Sequence, residues 1–320
     1  NKVDMSEYTK ALELIEKSRY ILIITHINPD PDSIGSALAL SNLFHENKIK
    51  HKVFNVSSDL PQNLDFIPRF EKISDQLPAF FDLAISVDCG TYKRLGFELD
   101  PSIPLINFDH HKSNNSFGTV NIVDPMISST AELVYEFFKH NGLYITKNSA
   151  TALYVGIYDD TLAFSLSRCD EVTFEKINFL VECGASPSDI ANKLLRRDSL
   201  AKYRIIPKVL DSLELYKEGE VASILAKEEW FKQTGAHNRD CEDALDMIMS
   251  IAVVRIAFFV RVVNGVSRVS IRSKGKIDVS VIAGHFGGGG HFNAAGCSLD
   301  MTDVVKAKDI VLKEIFEVYK

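Results

Sequence analysis

Three apolar runs, "RYILIITH", "FDLAISVD" and "PLINFD", are continuous rather than alternating. Such runs are the pattern of strands buried on both faces, as in a parallel sheet. "HKVFNV" supplies a further strand. Around them the period becomes helical, over Tyr8–Ser18, "SIGSALALSNLFHENK", "STAELVYEFFKHNG" and "NSATALYVGIYDDT". Asp32 or Ser33 is the expected N-cap of the second of these helices, and Gly142 suits the C′ position of the third. Strand–helix alternation of this kind predicts an α/β domain with a parallel sheet. From Cys169 to about Tyr216 the pattern stays helical. Beyond it come alternating strands ("EVASILAKEE", "IAVVRIAFFVRVV", "VSRVSIRSK"), a glycine cluster and a last helix, which predict a smaller α+β domain. The expected boundaries are 1–188 for the first domain, 189–214 for a helical linker and 215–320 for the second domain.

A chain of 320 residues suits two domains, and 46% hydrophobic with 25% charged residues suits a packed core in each. No apolar run reaches the length of about 18 residues that a membrane span needs. The polar, acidic start lacks the basic and apolar segments of a secretory leader, so a cytoplasmic location is expected. The five cysteines are scattered without a C-x-x-C pair. That argues against a disulfide framework or a structural zinc site. The net charge of −7 announces no broad basic surface. A long duplex nucleic acid is therefore not an expected partner, and an anionic substrate should be short and held by local cations.

The acids and histidines fall where a parallel sheet binds ligands, just beyond the carboxyl ends of strands. His26, Asp30 and Asp32 follow the first run, Asp88 another, and Asp109, His110 and His111 the next. Asp159 and Asp160 end a helix. Singly, each has an ordinary reading as a turn, a cap or a solvated end. Together, four segments deliver carboxylates and imidazoles to one sheet edge, and an acid ahead of paired histidines suits metal ligation. Ligands of this type without thiolate favour Mn²⁺, with Mg²⁺, Co²⁺ or Fe²⁺ as alternatives. Their number exceeds the need of one ion and points to a two-metal centre, of the kind that clamps a phosphoryl group for in-line displacement.

Near the C-terminus, Gly287–Gly290 precede His291 in "GHFGGGGHFNAAG". Glycines there allow close backbone approach and free N–H groups for an anion. No Lys-Ser/Thr pair follows and no G-x-G-x-x-G follows a first strand, which excludes a Walker A loop and a dinucleotide fingerprint. Arg268, Arg272 and Lys274 add local positive charge, and the two arginines, four apart on a strand, share a face.

"HINPDPDSIGS", "VDCG", "DHH", "GIYDDT" and "GGGGHFNAAG", in this order, resemble the DHH–DHHA1 phosphoesterase family. The nearest branch is that of stand-alone nanoRNases and pAp phosphatases, related to RecJ-type exonucleases and family II pyrophosphatases. The resemblance implies a catalytic DHH domain over 1–188 and a substrate-binding DHHA1 domain over 215–320, with the active site in the cleft between them. One metal would be held by His26, Asp30 and Asp88, the other by Asp32, Asp88, His110 and Asp160. His111 would contact the scissile phosphate with Asp109 behind it. Arg272, Ser273, Gly288, Gly289, Gly290 and His291 would hold the substrate. Three departures stand out. Asp159-Asp160-Thr161-Leu162 replaces the family's T-D-T-G, which leaves a one-residue slip to Asp159 open. Leu162 replaces a small residue, and Pro31 stands where glycine is usual.

The implied activity is Mn²⁺-dependent hydrolysis of RNA of about two to five residues, of pAp, or of both. Alternatives are cyclic or linear dinucleotides as substrates, inorganic pyrophosphate, or a nucleotide-sensing module without catalysis. Homodimerisation is a further family expectation.

Overall fold

The β-branched and leucine-rich runs form strands because both of their faces are buried. The computed structural model describes residues 4–57, 60–166 and 169–319. The chain divides into two units, Asn1–Arg197 and Asp198–Lys320.

In the first unit the strands are β1 (Ile21–Thr25), β2 (His51–Phe54), β3 (Ile73–Ser74), β4 (Leu83–Val87), β5 (Leu105–Asp109) and β6 (Val120–Val123). They form one sheet of order β3-β2-β1-β4-β5-β6, and the pairings are all parallel. Every residue of β1, β4 and β5 is buried, as continuous apolar runs require. The helices are α1 (Met5–Lys17), α2 (Pro31–Glu46), α3 (Thr130–His140), α4 (Lys147–Asp160), α5 (Glu171–Glu182) and α6 (Pro187–Leu195). Ile21 and Ile23 face a core shared with α2, α3 and α4. Leu22 and Ile24 face a second cluster with Leu95, Leu99 and Phe97, built from loops between β4 and β5. Strand order reverses between β1 and β4, the switch point at which open α/β sheets leave a crevice.

Three helices meet behind that crevice because two glycines let them. A Cβ at Gly35 of α2 would stand 2.5 Å from the Ala152 carbonyl oxygen of α4. One at Gly156 of α4 would stand 2.7 Å from both Asp32 Oδ1 and Ala131 Cβ. No side chain fits at either position.

The second unit holds α7 (Leu200–Asp211), β7 (Glu214–Tyr216), β8 (Val221–Ala226), α8 (Glu228–Thr234), α9 (Asp243–Met249), β9 (Ile256–Val263), β10 (Val266–Ser273), α10 (Val279–His285), β11 (Gly289–His291), β12 (Ala294–Leu299) and α11 (Val304–Val318). Its sheet has the order β11-β12-β10-β9-β8-β7 and is mixed, with β8 and β9 parallel and the other pairs antiparallel. This is the α+β pattern expected for the C-terminal part.

Local details depart from the sequence reading. Asp30, not Asp32 or Ser33, caps α2, since its side chain accepts the Ser33 N–H at 2.9 Å and Pro31 occupies the first helical position. The helical pattern does not run through Tyr216, because Glu214–Tyr216 pairs with β8. Short strands β3, β6, β11 and β12 exist only through their partners, and their own sequences carry no continuous apolar run.

Gly156→Ala should destabilise the protein by about 1–3 kcal/mol, the usual penalty for overpacking. A lowered urea midpoint at unchanged m-value would bear this out, and an unchanged midpoint would refute the close packing.

Candidate metal centre

Three strand ends and two helices supply the cluster. His26 follows β1, Asp88 follows β4, and Asp109 ends β5 with His110 and His111 directly after it. Asp30 and Asp32 lie at the start of α2, and Asp160 is the last residue of α4. Donor atoms within 4.8 Å of one another form three groups: His26, Asp30 and Asp88; Asp32, His110 and Asp160; and Asp88, His110 and His111. Asp88 belongs to two of them, and His110 links these to the third. Asp88 Oδ2 lies 3.3 Å from His26 Nε2, while its Oδ1 lies 3.6 Å from His110 Nε2 and from His111 Nδ1.

Asp88 reaches this position through its backbone. Its φ is +59°, a left-handed conformation that most residues avoid and that Asp and Asn tolerate best. Its N–H still bonds the Phe108 carbonyl oxygen at 2.9 Å, so the sheet ladder holds one residue past β4. Asp88 therefore caps no helix.

Asp30 and Asp32 do not share one side of an extended segment. Asp30 is extended, but Asp32 is helical, and the turn of α2 sends its fully buried carboxylate elsewhere. The first N–H groups of α3 hold it: Thr130 N donates to Oδ2 at 2.7 Å and Ala131 N to Oδ1 at 2.9 Å. A helix N-terminus is well suited to a carboxylate. The Thr130 hydroxyl also donates to Asp88 Oδ1 at 3.1 Å.

The electrostatics call for positive charge. Burial, and then the charges of Asp160 and Asp88, hold the Asp32 carboxyl well above the usual range. Burial and the Asp30 charge raise Asp88 as well. Burial would lower His26, but hydrogen bonds to Asp30 and Asp88 outweigh it and push the imidazole up to about 10. His110 is pushed up to about 10 as well, since Asp160, Asp32 and Asp88 overcome its burial. His26 Nδ1 donates to the Ile27 carbonyl oxygen at 2.8 Å, so Nε2 is the atom that faces Asp30 and Asp88, each at 3.3 Å. A neutral imidazole there would aim a lone pair at two carboxylates, so a proton or a metal cation must lie between them. This donor set of imidazole nitrogen and carboxylate oxygen fits divalent cations.

Asp160 Oδ2 lies 3.0 Å from His110 Nε2, whereas Asp159 belongs to none of the three groups. Burial and the charges of Asp30, Asp160 and Asp88 push Asp159 up to about 7. Leu162, Ala163 and Phe164 follow with φ of +47°, +55° and +64°, and Leu162 is exposed. Asp109 is fully buried, 2.6 Å from His111 Nδ1, and its other oxygen accepts from Asn114 Nδ2 at 2.6 Å. A Cβ at Gly90 would come within 3.2 Å of His111 Cβ, so this glycine makes room for the imidazole. Thr130, Ala131 and Asn114 went unrecognised in the sequence. Asn114 had a visible signal in "DHHKSNN", but backbone donors carry none.

The residues expected to bind substrate lie in the second unit. Arg272 is partly exposed, with Asp246 3.9 Å from its Nε. Ser273 is buried, donating to the Ile277 carbonyl oxygen at 2.6 Å and accepting from Asn293 Nδ2 at 2.9 Å. Gly288 and Gly290 abut β12: a Cβ would stand 2.2 Å from the Gly296 carbonyl oxygen at the first and 2.4 Å from that of Ala294 at the second. At Gly289 a Cβ would meet nothing within 4 Å. The backbone of His291 pairs with Ala294, and its side chain lies outside the described residues. No helix among the described residues is long and apolar enough to cross a membrane.

Residues 20–157 match the DHH family, N-terminal domain, and residues 220–319 match the DHHA1 domain. The chain is 29% identical over 300 residues to the bifunctional oligoribonuclease and PAP phosphatase NrnA of Thermus thermophilus, covering 93% of this chain and 89% of that one. A crystal structure of an exopolyphosphatase-related protein from Bacteroides fragilis is similar at a TM-score of 0.88 and 26% identity, covering 98% and 97% of the two chains. RecJ from Thermus thermophilus, crystallised with Mn²⁺, shares the fold at a TM-score of 0.58 and 14% identity, covering 98% of this chain and 54% of that one.

Mn²⁺ should raise the melting temperature of the wild-type protein, a bound ligand at a hundred times its dissociation constant being worth about 2.7 kcal/mol. In Asp88→Asn, whose side chain still tolerates the left-handed backbone, that rise should vanish while the metal-free protein stays folded. An undiminished Mn²⁺ shift in the variant would remove Asp88 from the centre.

Proposed function

We propose that this chain, which belongs to the DHH family and ends in a DHHA1 domain, is a metal-dependent phosphoesterase acting on very short nucleotides. Its substrates are oligoribonucleotides of a few residues, cut to mononucleotides, and pAp, which loses its 3′-phosphate. The observation that carries this reading is the chain of His/Asp groups in which Asp88 belongs to two and His110 links these to the third. The similarity to an oligoribonuclease and PAP phosphatase along 93% of the chain supports the substrate class.

His26, Asp30 and Asp88 would hold one divalent cation, and Asp32, Asp88, His110 and Asp160 a second, with Mn²⁺ the favoured ion. Such a pair supplies positive charge for the phosphoryl group and lowers the pKa of attacking water. The protein's own groups do the rest. Thr130 and Ala131 fix Asp32, and the Thr130 hydroxyl fixes Asp88. The bond from Nδ1 to Asp109 sets the tautomer and tilt of His111, which acts on the scissile phosphate. In hydrolysis the water oxygen forms the new P–O bond, the bond to the leaving ribose oxygen breaks, and that oxygen takes up a proton. The second unit would bind the nucleotide through Arg272 and the backbone near Gly289.

A substrate panel tests this. With Mn²⁺, a 5′-phosphorylated diribonucleotide and pAp should be hydrolysed far faster than a long single-stranded RNA, and EDTA should abolish both. Preferential turnover of cyclic di-AMP or pyrophosphate would overturn the assignment, and binding without turnover would favour a sensor. Asp109→Asn should lower kcat by about 10²- to 10⁴-fold, the usual worth of a positioned acid–base group. Mn²⁺ binding should be unaffected, and an unchanged kcat would remove Asp109 from the mechanism.

A further inference from the structure

The sheet of the second unit has two unlike faces. On one, Val269 and Ile271 of β10 with Ala295 and Cys297 of β12 pack into a core with α10 and α11. On the other, β8 and β9 are covered by α7 and α9, with Ala257 and Phe259 packed against Ile205, Leu245 and Ile248. Past β9 that second face is polar and bare. The register aligns Arg268 with Arg261 and Ser298, Ser270 with Gly296, and Gly296 with Gly289. No side chain of the described residues lies within 4 Å of a Cβ built at Gly289 or Gly296.

The arginines on this face differ in how they are neutralised. Arg261 is mostly buried, reaching Glu242 at 2.9 Å and donating to the Ser270 hydroxyl at 3.3 Å. Arg272 has Asp246 at 3.9 Å. Arg268 is exposed and donates to the Ser298 hydroxyl at 3.0 Å, and no carboxylate of the described residues forms an ion pair with it. On a chain of net charge −7 this is a local concentration of cations beside open backbone. Arg268 and Arg272 stand four residues apart on one strand, about 13 Å at a strand rise of about 3.3 Å per residue. That separation suits phosphates two nucleotides apart along an extended single strand, and is too long for the 5′- and 3′-phosphates that flank one nucleotide.

We propose that the open face of β10, β12 and β11 is a track for a single-stranded oligonucleotide. Arg272 takes one phosphate, Arg268 takes one two nucleotides further along, and the bare strands at Gly289 and Gly296 form a floor for the nucleotides between them. Flat sheets with flanking arginines suit single strands because the backbone supplies charge and each base has a face to lay down. Arg268 thereby distinguishes oligonucleotides from pAp. The inference rests on the phosphoesterase reading for its substrate class.

The test is equilibrium binding of a fluorescent tetraribonucleotide and of pAp to the full chain in EDTA, across a salt series. A lost contact to one phosphate flattens the log–log salt slope for a single strand by about 0.7. Arg268→Ala should show that flattening and about tenfold weaker tetranucleotide binding, with pAp binding unchanged, and Arg268→Lys should restore the slope. An unchanged slope, or equal weakening for pAp, would overturn the track. Tight binding of the tetranucleotide by a wild-type protein that hydrolyses neither ligand with Mn²⁺ would uphold the track and sink the phosphoesterase reading. A wild type that hydrolyses pAp but does not bind the tetranucleotide would do the reverse.

Discussion

Four aspartates whose charges oppose one another are packed beside three imidazoles at the end of one parallel sheet, and this crowding is what the surrounding structure exists to tolerate. Desolvation alone would neutralise most of these carboxyls. The structure resists through partners: the N–H groups of α3 on Asp32, the Ser33 N–H on Asp30, and imidazoles between Asp30, Asp88 and Asp160. What remains is a demand for cations that no lysine or arginine ion pair meets among the described residues of the cluster.

Topology decides where that demand arises. The sheet order reverses between β1 and β4, so the chain leaves these neighbours in opposite directions and exposes their carboxyl ends together. His26 and Asp88 sit on those two ends, and β5 brings Asp109, His110 and His111 alongside. Helices α2 and α4 then approach closely enough, through Gly35 and Gly156, to bring Asp32 and Asp160 to the same place. The chemistry of the centre is thus tied to a packing contact between helices.

Much of this was legible in the residues. Continuous apolar runs marked β1, β4 and β5 because buried parallel strands leave no polar alternation, and the ligand-type residues follow those runs directly. The assignment of Asp30 and Asp32 to different groups came from a family resemblance, and the structure places them in different groups for a reason the sequence did not display. A helix begins between them, so one is extended and the other turned. The grip on Asp32 was invisible because its donors are main-chain atoms of Thr130 and Ala131, whose side chains need not announce them. The glycine cluster divides in a way its sequence does not display. Its close approaches at Gly288 and Gly290 are to β12, while Gly287 and Gly289 are left bare, a distinction that depends on a strand partner with no strong pattern of its own.

The seat of Asp32 carries a consequence for heredity. Both of its oxygens face N–H donors of α3, so this position must accept on both sides. An asparagine, one nucleotide change away, would turn an amide N–H₂ toward a backbone N–H and lose a bond as it gained a repulsion. A glutamate would be too long for a cavity closed by Gly156. Few single steps lead away from this aspartate without disturbing the helix beneath it. A descendant that abandoned the chemistry would still have a structural reason to keep the residue, so the presence of Asp32 in a distant copy would be poor evidence that the copy remains active.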